Sequence, residues 1–113
     1  MGYRPHLIKT YIVEYDKILN CENWNPQDFI NFLYAAKIDA CHSSFEDTDK
    51  IYINTNNLLS ISKEKRIKDL KKAYPKADLD LLLEEYIENI EDLYKAAEFP
   101  DVKKREEIII EWF

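Results

Sequence analysis

Hydrophobic residues along this chain change their period in a way that separates strands from helices. From His6 to Tyr15 the run His-Leu-Ile-Lys-Thr-Tyr-Ile-Val-Glu-Tyr is dense in β-branched and aromatic residues and predicts a strand. Asp16 to Asn23 is a polar connection. Asn25 then stands as an N-cap, Pro26 at the first helical position and Asp28 in the first turn, with Trp24 placed to pack on Phe29 as a hydrophobic staple. Phe29, Phe32, Leu33, Ala36 and Ala40 share one helical stripe, which predicts a helix running to about Cys41.

His42 to Asp49 is polar, Lys50 to Asn54 alternates as a short strand, and Thr55-Asn56-Asn57 reads as a turn. Leu58 to Ile61 would return as the hairpin partner, unless Leu58 and Leu59 join the helix that follows. Ser62 caps that helix, which carries Ile67, Leu70 and Tyr74 and is interrupted by Pro75. Asp78 restarts it, and Leu79, Leu82, Leu83, Tyr86, Ile90, Leu93, Tyr94 and Ala97 hold the helical period. Pro100 is expected to end the helical region, and Arg105 to Phe113 to form a last strand. The predicted order is βαββ(αα)β: one α+β domain over residues 1–113, with a small antiparallel sheet of three to four strands and helices mainly on one face. A ferredoxin-like sandwich fits this order, but fold similarity of that kind carries no function.

With 46% hydrophobic and 34% charged residues in 113, the composition is that of a soluble globular domain. The chain has a single glycine, Gly2, whereas loops that cradle nucleotide phosphates need several where backbone approaches phosphate. The longest apolar run, Phe32 to Ala36, is far shorter than the ~18 residues of a membrane span. Charges interrupt the first twenty residues, so no signal peptide is read there. Two cysteines, Cys21 and Cys41, are too few for a disulfide framework and read as free thiols in the cytoplasm.

A net charge of −6 disfavours a broad nucleic-acid footprint and leaves only a local patch for that role. The charge is unevenly spread. Residues 63–76 hold seven lysines or arginines against two acids, a net of +5, and residues 78–101 hold nine acids against Lys95, a net of −8. Either the two helices neutralise each other, or the acidic one meets a basic partner. Glu84 with Glu88, and Glu88 with Asp92, repel at i, i+4, and the helix dipole favours acids only near the N-terminus, so something beyond the helix should compensate them.

The last strand places Ile108, Ile110 and Trp112 on one face and Ile109 and Phe113 on the other, which reads as a sheet apolar on both sides. Unless loops or helices cover both, the open face is an interface anchored by Tyr11, Tyr15 and Trp112, with a homodimer the simplest form. Cys41-His42, or Cys41 with His6, is the one catalytic arrangement to weigh, and adjacent side chains at a helix end would diverge. Cys21, Cys41, His6 and His42 lack metal-knuckle spacing, and Glu46 to Asp49 lacks a calcium loop's glycine, so no metal or cofactor is expected.

These features point to a small non-enzymatic protein of the inhibitor, immunity, antitoxin or phage anti-defence type. It would bind a basic protein surface through Asp80, Glu84, Glu88, Glu91 and Asp92, with Tyr11, Tyr15 and Trp112 supplying aromatic contact. Two alternatives remain: a nucleic-acid-associated module using Lys65, Lys68 and Lys72, which share one helical face, and a small cysteine-dependent enzyme using Cys41.

Overall fold

The expected strand at His6 to Tyr15 folds as two antiparallel strands, although no glycine, proline or asparagine stands between Thr10 and Glu14 to mark a turn. In the computed structural model, which describes residues 4–10, 14–20, 25–45, 48–74 and 80–112, β1 (Pro5–Thr10) pairs antiparallel with β2 (Glu14–Ile18) through an irregular register. Asn25 caps α1 (Pro26–Ala35) as expected, its Oδ1 accepting from Gln27 N at 2.8 Å. Trp24 lies outside the described residues.

The first helix stops well short of Cys41. Lys37 turns to φ 62°, and Ile38 N donates to Leu33 O at 2.9 Å while Lys37 N donates to Tyr34 O at 3.0 Å. This is a Schellman cap, and Ile38 and Leu33 are both buried in the core. Residues after it are free to leave the helix, so Cys41 opens β3 (Cys41–Phe45), which pairs with β4 (Thr48–Asn54). That pairing replaces the expected hairpin. Thr55 to Leu59 instead form the short helix α2 (Thr55–Leu59), capped by Asn54 Oδ1 on Asn57 N at 3.0 Å. The polar run of β3 carries no alternation because it is an edge strand, exposed from Cys41 to Ser44 and not required to bury an apolar face.

Helices α3 (Lys63–Ala73) and α4 (Asp80–Ala96) follow as the periodicity predicts. Pro100 opens a helix rather than closing one: it is the first residue of α5 (Pro100–Arg105), where a missing N–H costs no hydrogen bond. Glu106 ends α5 in the left-handed region at φ 58°, and the chain enters β5 (Glu107–Trp112).

The five strands form one antiparallel sheet in the order β2-β1-β5-β4-β3. The α+β class with helices against an antiparallel sheet is as expected. The ferredoxin-like order is not: α1 carries the chain from one sheet edge to the other, and β5 returns beside β4 and antiparallel to it. A split βαβ unit would need that return strand parallel to β4 with another strand between.

Residues directly opposite in neighbouring strands share a face. Leu7, Ile110 and Ile51 therefore lie in one row, with Ile53 and Ile108 in the next, all 0% exposed under the helices. Phe29 of α1 meets Trp112 edge to face at 5.6 Å, and Phe32 lies 4.6 Å from the ring of Tyr86 on α4. The opposite face is more polar than the isoleucine run implied. It sets Ile109 between Glu107 and Glu111 on β5, beside Lys50, Tyr52 and Asn54 on β4.

Candidate functional site

A polar clamp helps to hold the acidic helix in place. Asn89, 0% exposed in the middle of α4, accepts from Asn20 N at 2.9 Å through Oδ1 and donates through Nδ2 to Asn20 O. Asn20 Nδ2 in turn donates to Glu85 O at 3.1 Å and Glu88 Oε1 at 3.2 Å. A buried amide is tolerated here because its oxygen and one of its N–H groups are both satisfied by the backbone of one residue, Asn20. Sequence reading missed Asn89, and an asparagine among apolar positions of an amphipathic helix was the available signal.

Anchored this way, α4 turns Tyr86, Ile90 and Leu93 to the core and exposes Glu84, Glu85, Glu88 and Lys95. Glu91 is half-buried. Asp92 departs from the expected exposed ridge: it is buried, at 7% exposure. The side chain of Asp80 lies outside the described residues, as do Tyr11 and the side chain of Tyr15. Trp112 is also removed from the expected contact set, because it lies on the helix-covered face at 1% exposure, against Phe29.

Lys65 Nζ pairs with Asp69 Oδ1 at 2.8 Å one turn along its own helix. That hydrogen bond, with smaller contributions from the charges of Lys65, Lys72 and Lys37, holds the Asp69 carboxyl below its ordinary value. Arg66 is not part of a basic surface at all, being 2% exposed inside the fold. Among the described residues no ion pair joins α3 to Glu84, Glu85 or Glu91, although the two helices pack together. Of the lysines weighed for nucleic acid, Lys65 is engaged by Asp69, and Lys68 and Lys72 remain exposed.

Cys41 and His42 are consecutive residues of an edge strand, not of a helix end, so their side chains point to opposite faces of the sheet. His42 Nε2 meets Asp49 Oδ1 at 2.8 Å, and His6 sits in β1 with Nδ1 2.9 Å from Arg4 O. Strands β5 and β4 stand between His6 and Cys41, so neither thiol–imidazole pair forms. Among the described residues, no group of three or more histidines, cysteines and carboxylates gathers as a metal site, and no helix is long and apolar enough to cross a membrane.

The fold and these surfaces define a small α+β protein whose distinctive surface is a carboxylate-rich helix. No protein-family model, curated protein or solved structure matches the chain.

Proposed function

We propose that this chain is a small non-catalytic cytoplasmic protein that binds another protein, in the manner of inhibitors, immunity proteins and antitoxins, and meets a basic surface with α4. The observation that supports the reading is the exposed row Glu84, Glu85 and Glu88 along α4, where among the described residues no ion pair joins Glu84 or Glu85 to a lysine of α3. Such a row raises the local concentration of a basic partner and speeds encounter more than it deepens affinity.

The test is a comparison of wild type with the triple variant Glu84→Lys, Glu88→Lys and Glu91→Lys. Each is used to capture partners from the source cell at two salt concentrations, and each captured protein is then purified for association kinetics. A partner with a basic surface whose on-rate falls about tenfold or more in the variant, and falls with salt in the wild type, supports the reading. Unchanged on-rates remove α4 from the interface. Retention of the wild type on a phosphate resin, lost on reversing Lys68 and Lys72, would replace it with the nucleic-acid reading.

A further inference from the structure

At the end of α1 nearest β3, a cavity of about 580 Å³ opens beside the sheet, within the size range of ligand pockets. Its sheet side is set by register: Cys41 lies opposite Tyr52, and Asn54 opposite Glu107, so all four occupy the face away from the helices. Tyr34, from the last turn of α1, forms a wall with Asp39, its hydroxyl donating to Ala40 O at 3.4 Å. Asn57 of α2 contributes another.

The lining is electrically one-sided. Asp39 and Glu107 make no ion pair among the described residues, two tyrosine rings stand near them, and no lysine or arginine is present. Ring faces attract a cation through their quadrupole, and a guanidinium both stacks on such rings and forks onto carboxylates. Tyr34 is 53% exposed, so its ring is open to an approaching side chain.

The cavity borders an unprotected edge. Cys41 to Ser44 are exposed, pair regularly with β4 and, among the described residues, with no other strand, and include no lysine, proline or bulge of the kind that usually blocks an edge strand. A strand added there would place the side chain opposite Cys41 on the cavity's own face of the sheet. The geometry points to a docking site for an extended partner segment that adds to β3 and lowers an arginine side chain between Tyr34, Tyr52, Asp39 and Glu107. This site is separate from α4, so each can fail without the other.

The test titrates the ¹⁵N-labelled full chain with two terminally blocked pentapeptides, Thr-Val-Arg-Val-Thr and Thr-Val-Gln-Val-Thr, and with N-acetylarginine amide. The arginine peptide should shift the amides of Ala40 to Ser44, Tyr52 and Asn57 saturably. The double variant Asp39→Asn and Glu107→Gln should weaken it about tenfold, and Tyr34→Ala about threefold. Tyr34 is exposed, so its variant keeps the test alive if the double variant misfolds. The charge reversals on α4 should leave this binding unchanged. Equal binding of the glutamine peptide, no saturable shift, or shifts confined to α4 would overturn the site. So would N-acetylarginine amide binding as tightly as the peptide, which assigns the cavity to a small cation. A dimer with β3 amides protected before peptide is added would give the edge to a second copy instead.

Discussion

The Nε of Arg66 donates to the hydroxyl of Tyr94 at 2.9 Å, and both groups converge on the carbonyl of Leu58, at 3.2 and 2.9 Å. Around this point the guanidinium also donates to the carbonyls of Ala36, Lys37 and Asn57. No carboxylate is among the acceptors of Arg66. Its charge is met instead by carbonyls at the C-terminal ends of α1 and α2, where the helix dipoles are negative. One side chain of α3 therefore ties α1, α2 and α4 together.

Replacing Arg66 with methionine strands those buried carbonyls without donors, and the expected loss is about 3 kcal/mol or more of unfolding free energy in urea. Arg66→Lys retains the charge but loses the planar fork, with an expected loss of about 2 kcal/mol. Tyr94→Phe should cost about 1–2 kcal/mol, and its effect should be far smaller in an Arg66→Met background, because the two share acceptors. Additive losses would show that the network does not act as a unit.

Trp112 belongs to the core and not to a surface. Trp112→Ala should lower stability by about 3–5 kcal/mol, read from the urea midpoint, by opening a void against Phe29. A change below about 1 kcal/mol would mean the ring is not packed under the helices.

Two helices end on non-glycine residues in the left-handed region, Lys37 at φ 62° and Glu106 at φ 58°. Glycine adopts that region without a Cβ clash, so Lys37→Gly and Glu106→Gly should each raise stability, by about 0.5–1 kcal/mol. Thermal melts would show this as an upward shift of a few degrees for each. A fall in melting temperature would mean that the longer side chains contribute contacts outweighing the backbone gain.

Asp69 ionises more readily in the folded chain than its ordinary value of 3.8. Its stabilising effect is thus complete above that pH and disappears as the pH falls through the lower folded value. Lys65→Met should return the Asp69 carboxyl toward its ordinary value in an NMR titration. It should also reduce stability at neutral pH, with the difference from wild type closing in strong acid. High salt should shrink the same difference, since the pair lies on the surface.

Capping and period made three helices legible. Asn25 with Pro26 located the start of α1, Ser62 that of α3, and the leucine stripe located α4, because these signals act within a few residues of sequence. The strands were harder. β3 was missed because an exposed edge strand has no buried face to write an alternating pattern. Pro100 was misjudged because proline is equally at home just after one helix and at the first position of the next. Of the expected acidic ridge, Glu84 and Glu88 are exposed and Asp92 is buried, a difference that periodicity within α4 could not assign without knowing that Asn20 lies along its flank.

The sequence by itself determined the α+β class, the starts of α1 and α3 and the segregation of charge between α3 and α4, since each follows from local propensity or simple counting. Tertiary structure alone decided the rest: that Arg66 leaves the basic helix for the interior, that Lys65 turns to Asp69 rather than to α4, and that Trp112 lies under the helices. It also brought Tyr34, Asp39, Tyr52 and Glu107 around one cavity. These placements depend on strand order and register, which are set by contacts between residues far apart in the chain, and no local pattern encodes them.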